Sequence, residues 1–273
     1  MPSASAPRFE VGPVAEAVKR ISAKTPLGTA LRSKELEALP LALRERAQFT
    51  ATVESARILS QIQRSLEQNL TTEGDGLVMS RDRFAAKLMD VAKDVMGDAP
   101  RKGGLQDIRS VGRARLIYDM QTAQAYGHAQ WKLDTDPDNL NAAPAQEFFR
   151  AEPRGKPRED WPERWAAAGG KEYGGRMIAL KTDPVWTSLS RFGTPWPPFD
   201  YNSGMDVRDI YRDEAEALGL VQPDQKLEPT QEQDFNAAVE ASVADVAPEL
   251  VDLVVKSAGE AWEAVAGKLR RKE

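Results

Sequence analysis

The clearest pattern of hydrophobic and polar positions lies in residues 41–70. There Ile58, Ile62, Leu66 and Leu70 recur every four residues, while arginine, glutamine and glutamate occupy positions between them. Side chains four positions apart share one face of an α-helix, so this spacing predicts an amphipathic helix with a buried apolar stripe. We therefore predict one helix over 41–70, ended by the glycines of the segment that follows it.

Other helical patterns follow a lead over 1–13 that is predicted to be disordered. A short amphipathic helix is predicted over 14–24. A longer one is predicted from Ser80, a plausible N-cap residue, to the glycine-bearing segment GDAPRKGG. Over 105–131 the apolar and small residues spread beyond one stripe, which predicts a helix covered on more than one side.

The composition changes from 132 to about 205. Prolines recur through this stretch and exclude long helices, and four of the six tryptophans of the chain lie in it. The segment RMIAL at 176–180 predicts a short strand, because glycine and proline bound it. We expect an irregular, aromatic-cored subdomain with a small sheet, followed by a helix over 206–220 that ends at Gly219.

Two helices are predicted beyond the linker that begins at residue 221. Thr230 and Gln233 have the spacing of a capping box, which predicts a helix start there. Pro248 suits the first turn of a second helix that runs to the last residues of the sequence.

One face of this last predicted helix is a candidate partner-binding surface. Leu250, Val254 and Trp262 fall near one side of it. Such a face is typical of helices that dock into a groove of another protein. Packing of the same face onto its own domain explains the pattern equally well, and both interpretations stay open.

These elements together predict an α+β fold that is mostly helical. One domain is expected over 14–220, with a helical part over 14–131 and an aromatic, proline-rich part over 132–220. A linker and C-terminal helices follow over 221–273. A chain of 273 residues is long enough to bury a core of this kind.

Charge and composition narrow the classes of function. The chain carries 37 basic and 42 acidic residues, a net charge of -5, which argues against general coating of DNA or RNA. It has no cysteine and one histidine, which excludes Cys–His nucleophiles, Cys/His zinc sites and the two-histidine H-E-x-x-H site. No signal-peptide pattern and no bilayer-spanning apolar run are present, which predicts a soluble protein made inside a cell, without a membrane partner or a cofactor.

Two motifs suggest catalysis only superficially. His128 could act as a general base or a pH switch, but no candidate nucleophile is near it in the chain, which favours a packing or surface role. Residues 214–216 read EAE, similar to an acidic motif of some ADP-ribosyltransferases. In a helix, positions i and i+2 point apart, so a solvated face is favoured there.

The segment GGLQDIRSVGRARL concentrates positive charge near two glycines. It lacks the G-x-x-x-x-G-K-[ST] spacing that surrounds a phosphate chain with backbone amides, a lysine and a hydroxyl. Solvation at the surface is the simpler interpretation. A weaker electrostatic contact with DNA through Arg109, Arg113 and Arg115 stays open.

The segment RFGTPWPPFDYNSGMD, residues 191–206, is stiff and aromatic. Proline-rich segments serve as ligands for aromatic grooves, but such ligands are normally exposed and not rich in large rings themselves. Burial of these rings against the upstream tryptophans would stabilise a subdomain without long helices. We therefore predict a structural clasp in which Trp196 and Tyr201 are mostly buried.

Three stretches together resemble the phage Mu F-like head morphogenesis family, the minor head proteins of tailed bacteriophages. The first is LRERAQFTATVESARILSQIQRSLEQNL with RDRFAAKLMDVAKDV, similar to the family's two helices joined by a turn. The second is GRARLIYDMQTAQAYGHAQW, and the third is RMIALKTDPVWTSLSRFGTPWPPFDYNSGM, where the family places Asp-Pro-x-Trp and a closing Pro-Pro segment. Many members end this third region in a Cys-Arg-Cys signature; PPFDYNSGMD stands here instead, so no metal-binding role is carried over.

The resemblance implies a non-enzymatic virion protein at the portal vertex, acting in head assembly and in DNA packaging or delivery. Its implied partners are the portal protein, the major capsid protein, or both, with possible contact to packaged DNA. Its implied location is the virion head, after synthesis in the host bacterial cytoplasm. Two competing classes are a toxin-like enzyme, such as an ADP-ribosyltransferase or nuclease carried on a head-protein module, and a nucleic-acid-binding module.

Overall fold

The structure is a computed structural model of the chain. It describes residues 13–39, 44, 47–48, 50–71, 81–100, 103–229, 240–242, 248, 251–252, 255–256 and 262–271. Nearly all of the lead predicted over 1–13 lies outside the described residues.

Helices dominate the N-terminal half. They are α1 (Pro13–Ser22), α2 (Ser33–Glu37), α3 (Ala56–Thr71), α4 (Arg81–Met96), α5 (Val111–Asp134) and α6 (Pro137–Ala142). The long helix α5 lies at the centre, with α1 and α4 packed along it and α3 in contact with α1 and α4. The predicted stripe of α3 is confirmed, because Ile58, Ile62, Leu66 and Leu70 are all buried in one core cluster with residues of α4 and α5.

The predicted start of that helix at residue 41 is wrong. Residues 47–48 form strand β2 (Ala47–Gln48), which pairs in parallel with β1 (Thr25–Pro26), and α3 begins only at Ala56. Thr52 has a φ of 60°, which an α-helix cannot accommodate. The Ser55 hydroxyl accepts a hydrogen bond from the Ile58 amide at 3.4 Å, so a side chain at this position supports the first turn of the helix.

The helix predicted over 105–131 begins later as well. A 3₁₀ turn covers Gly104–Gln106, and α5 starts at Val111 after Ser110, whose hydroxyl accepts a hydrogen bond from the Arg113 amide. Between them Asp107 accepts hydrogen bonds from the Arg109 amide and guanidinium, which holds the chain in a turn. The predicted coverage on several sides is confirmed, because α5 contacts α1, α3 and α4.

The aromatic half contains the small antiparallel sheet that was predicted. Its strands are β3 (Ala145–Arg150), β4 (Glu172–Tyr173), β5 (Arg176–Leu180) and β6 (Met205–Ile210), in the order β4-β5-β3-β6. Strand β5 is the predicted RMIAL strand. Three short helices accompany the sheet: α7 (Trp161–Ala167), α8 (Val185–Leu189) and α9 (Arg212–Ala217).

The helix predicted over 206–220 is wrong in its first part. Residues 205–210 form β6, which pairs with β3 from Ala145↔Ile210 to Arg150↔Met205. Pairing with β3 satisfies the backbone polar groups, and Met205 and Ile210 at the two ends of β6 are buried. The helical part is limited to α9. The predicted end at Gly219 is confirmed, since this residue has a φ of 71°, which glycine adopts without strain.

The core of the aromatic half is built from stacked and edge-to-face rings. Phe148 of β3 contacts Trp161 and Phe199 edge-to-face, with ring centroids 5.1 and 5.4 Å apart, and Trp186 lies 5.3 Å from Trp165. These are separations at which aromatic pairs attract beyond their area burial. Aromatic rings therefore fill the core of this half, where the prolines prevent long helices from forming.

The end of the sequence departs from the predicted helices. Residues 248, 251–252 and 255–256 are helical, but β7 (Glu240–Ser242), β8 (Trp262–Val265) and β9 (Lys268–Arg271) form an antiparallel sheet in the order β7-β9-β8. Ala266 and Gly267 have φ values of 51° and 73° and join β8 to β9. Two successive residues with positive φ make the tight turn that matches the twist of a hairpin and ends any helix.

The candidate partner face changes accordingly. Leu250 and Val254 lie outside the described residues, and Trp262 belongs to strand β8 rather than to a helix. The three residues therefore do not share one face of a continuous helix. The predicted fold class, α+β and mostly helical with a small sheet, is confirmed.

The Asp107 turn predicts how the stability of the protein depends on pH. The Arg109 guanidinium, hydrogen-bonded to Asp107, holds the pKa of that carboxyl at about 2, below its usual 3.8. A lowered folded-state pKa contributes stability above pH 3.8 that is lost as the pH falls towards about 2. At neutral pH, the urea concentration at the midpoint of unfolding should be lower for Asp107→Asn than for the unmodified chain. The difference between the two midpoints should decrease as the pH falls from 3.8 to about 2.

Asp98→Asn provides the control, because Asp98 is an exposed aspartate in the preceding loop. Its urea midpoint should follow that of the unmodified chain at every pH. A gap for Asp107→Asn that stays constant down to about pH 2 would contradict the pairing.

Candidate functional site

The segment at 191–206 docks onto the central helix α5. Trp196 is 6% exposed, and its indole Nε1 donates a hydrogen bond to the Gln124 Oε1 atom at 3.0 Å. The Gln124 Nε2 atom donates in turn to the Pro198 carbonyl at 3.2 Å. One glutamine on the helix therefore satisfies two polar groups of a segment whose prolines lack their own N–H donors.

A glycine of α5 makes this approach possible. A Cβ atom added to Gly127 would collide with the Pro197 carbonyl oxygen and would lie 3.2 Å from the Trp196 ring. Backbone therefore meets backbone at this point, with no room for a side chain. The predicted structural clasp is a contact between the segment and the helix as well as a core of rings.

His128 completes the packing around Trp196. Its ring lies 4.9 Å from the Trp196 ring in an edge-to-face arrangement and 6.1 Å from that of Trp131. Burial, with the nearby charges of Arg20 and Lys132, lowers the pKa of His128 to about 2. The ring stays neutral near physiological pH, so His128 is placed as a packing residue rather than as a pH switch.

Asp200 anchors the other end of the segment. Its carboxylate accepts a hydrogen bond from the Arg164 guanidinium at 3.0 Å, and Arg158 and Arg191 each lie 3.7 Å away. The Arg158 guanidinium also donates to the Tyr201 carbonyl at 3.0 Å. A buried carboxylate among three guanidiniums fixes the backbone where the segment leaves the aromatic core.

The prediction that Trp196 and Tyr201 are mostly buried is confirmed, although Tyr201 is the more exposed of the two. Its ring contacts Phe192 edge-to-face at 4.9 Å, and the Arg191 guanidinium lies 5.3 Å from its centre. Burial raises the pKa of the Tyr201 phenol. Tyr201 therefore stands at the edge of the clasp, where the clasp borders open space.

That open space is a groove of about 1690 Å³ between α5 and the segment. Along α5 its wall is formed by Leu116, Met120, Ala123 and Tyr126, of which Ala123 and Tyr126 are exposed. The facing wall includes the apolar side chains of Leu36, Ala47, Phe192, Pro195 and Tyr201. Charged side chains of both signs also line the groove, so it combines apolar surface with polar groups, as surfaces that bind ligands and partner segments do.

The three arginines predicted as DNA contacts lie in three different environments. Arg109 is 5% exposed and donates to Asp107 and to the carbonyls of Ala99 and Pro100, so it is a buried structural residue and not a surface contact. Arg115 is at the surface and pairs with Asp82 at 2.7 Å. Arg113 is partly buried and lines the groove.

Arg113 carries an incompletely matched charge. Its guanidinium Nη2 donates to the Ala51 carbonyl at 3.2 Å, and no carboxylate of the described residues pairs with it. Burial lowers the pKa of this guanidinium, although it remains protonated at physiological pH. A guanidinium has five N–H donors, so one carbonyl leaves most of its capacity for an anion.

The acidic motif at 214–216 belongs to an ion-pair network on the sheet. Glu214 accepts a hydrogen bond from Arg176 at 2.6 Å, and Arg176 and Arg208 both donate to Glu147 of β3. Burial raises the pKa of Glu147, but the hydrogen bonds from the two guanidiniums outweigh it and lower the pKa overall. These acidic side chains are engaged in structural pairs.

Within the part of the chain that the structure describes, no group of three or more histidine, cysteine, aspartate or glutamate side chains is placed to hold a metal ion. Among the same residues, no helix has the length and apolar character needed to cross a bilayer.

Comparison of the chain with models of protein families, with curated proteins and with solved structures finds no match.

The residues that shape the site were only partly visible in the sequence. Trp196 was found from the aromatic pattern. Gln124, Gly127 and Asp200 were missed as site residues, because each acts through a partner distant in the chain. A usable signal was present: glycine in the interior of a helical pattern lowers helix stability, so its presence there suggests that packing leaves no room for a side chain.

The Gly127 contact predicts opposite effects for two glycines of the same helix. Gly127→Ala should lower the free energy of unfolding by about 1–3 kcal/mol, because the new methyl group has no room against the Pro197 carbonyl. Gly112→Ala should raise it by up to about 1 kcal/mol through helix propensity, since its nearest neighbour outside the helix is a Leu105 side-chain atom at 3.8 Å. Urea denaturation of both variants measures the difference, and equal effects would contradict the close contact.

The burial of Trp196 predicts a large loss on truncation. Trp196→Ala should lower the free energy of unfolding by about 3 kcal/mol or more, the usual cost of removing a core aromatic side chain. Tyr211→Ala is the control: this ring is 63% exposed, and the change should stay within about 0.5 kcal/mol. Unchanged unfolding of Trp196→Ala together with lost partner binding would show a docking residue instead.

Proposed function

We propose that this protein is a minor head protein of a tailed bacteriophage, associated with the portal vertex and acting in head morphogenesis and DNA packaging or delivery. The observation that carries the proposal is the set of three stretches that resemble the Mu F-like family in the same order along the chain.

The packing of these stretches supports treating them as one unit. The first stretch contains α3 and α4, and both helices contact α5, the helix of the second stretch. The third stretch contacts α5 through Trp196 and Pro198. Residues that carry the resemblance are thus the ones that hold the two halves of the fold together.

Function in this role comes from contact with other proteins. The groove along α5 offers an apolar surface with a cationic group, Arg113, in its wall. Leu250, Val254 and Trp262 are further proposed contacts with the portal or major capsid protein. The surface residue Arg115 is the remaining proposed contact with packaged DNA, since Arg109 is buried and Arg113 lies in the groove wall. The toxin-like enzyme and the nucleic-acid-binding module receive no specific supporting observation from the described residues.

Mass spectrometry of purified proheads and mature heads tests the proposal directly. The protein should be present in low copy in particles of the phage that encodes it. A portal gene upstream of its gene would agree with this assignment. If the protein is missing from both proheads and mature heads, the proposal fails.

Co-purification tests the portal contact. The full chain should be recovered with tagged portal protein of the same phage, and removal of residues 230–273 should reduce the recovery, because two linked contacts hold a partner better than one. Thermal unfolding of the shortened chain is the control for the fold of the remainder. Equal recovery of the full and the shortened chain would show that Leu250, Val254 and Trp262 do not contribute to the portal contact.

A further inference from the structure

Arg113 stands out among the basic side chains that line the groove. Arg191 pairs with Glu37 at 3.0 Å, and Arg154 pairs with Glu152 at 2.6 Å. Among the residues that the structure describes, Arg113 donates only to the Ala51 carbonyl, a neutral acceptor, although it is more buried than an ordinary surface arginine. A partly desolvated guanidinium without a paired anion is costly for a protein, so its position in a groove wall points to an anionic ligand.

The charges that line the groove indicate which kind of anion can bind there. DNA requires a surface with a clear excess of positive charge. The groove instead carries nearly as many carboxylates as basic side chains, among them Asp134 and Asp206. Phosphates along a DNA strand would meet these carboxylates and be repelled.

The walls next to Arg113 are apolar. Leu116 and Met120 lie one and two turns further along the same helix, and Ala123 and Tyr126 continue the surface as exposed residues. An occupant must cover this apolar surface while presenting a negative group at its Arg113 end. A protein segment with apolar side chains and one suitably placed aspartate or glutamate does both.

We infer that the groove binds an apolar segment of a partner protein, and that a carboxylate on this segment pairs with the Arg113 guanidinium. The inference concerns the ligand chemistry of the groove and stands whether or not the head-protein assignment holds.

The lack of cysteine in the chain allows a direct test. Ala123→Cys places one thiol on the exposed wall of the groove, where an environment-sensitive fluorophore can be attached. Lys93→Cys, on the exposed side of α4 and away from the groove, carries the same fluorophore as a control.

The probes are two amphipathic peptides about four helical turns long. Both have leucine at every third or fourth position and glutamine at the polar positions, except that one of them carries a single glutamate in place of a glutamine near one end. A DNA duplex of similar length is the third probe. The glutamate peptide should change the emission of the label at position 123, leave the label at position 93 unchanged, and bind about tenfold more tightly than the glutamine peptide.

Three further variants assign this preference to Arg113. Arg113→Met should remove the difference between the two peptides, while Arg113→Lys, which keeps the charge, should retain part of it. Arg115→Met is the matched control, because Arg115 lies on the same helix but pairs with Asp82 outside the groove, and it should keep the full preference. If Arg113→Met does not fold, the reduced preference expected of Arg113→Lys still tests the role of the guanidinium.

Several outcomes overturn the inference. They are equal affinity for the two peptides, no binding of either, an unchanged preference in Arg113→Met, and tighter binding of the DNA duplex than of the glutamate peptide. None of these results depends on phage components. If the protein is absent from phage particles but still prefers the glutamate peptide, the proposed function fails while this inference holds.

Discussion

The contact between α5 and the Trp196–Pro198 turn is the constraint on which the rest of the structure depends. At Gly127 the helix backbone touches the Pro197 carbonyl, and the Gln124 side chain satisfies polar groups on both sides of that point. The prolines stiffen the segment, so that little conformational entropy remains to be lost when it docks. A helix surface and a rigid loop are thereby fixed at a short distance.

This contact joins the helical half to the aromatic half. On the helical side, α5 is already held by α1, α3 and α4. On the other side, the segment is anchored by Asp200 and by Phe199, whose ring lies in the aromatic core. The groove lies beside this contact, and both Arg113 and Tyr201 line it.

Local patterns explain the elements that were predicted well. The stripe of α3 and the strand β5 depend on periodicity and on neighbours in the chain, which a sequence displays directly. Elements set by distant partners were misassigned. Residues 205–210 became a strand by pairing with β3, and 47–48 by pairing with β1. Residues 262–271 became a hairpin because Ala266 and Gly267 turn the chain.

The residue pattern alone was enough to predict the mostly helical α+β class and the burial of Trp196, and the lack of cysteine with a single histidine already excluded several catalytic chemistries. The folded chain was needed to show that Arg109 is interior, that Arg115 is paired at the surface and that Arg113 lines a groove. The reason is physical. A residue type fixes which interactions a side chain can make, whereas burial and charge pairing depend on groups that folding brings from elsewhere in the chain.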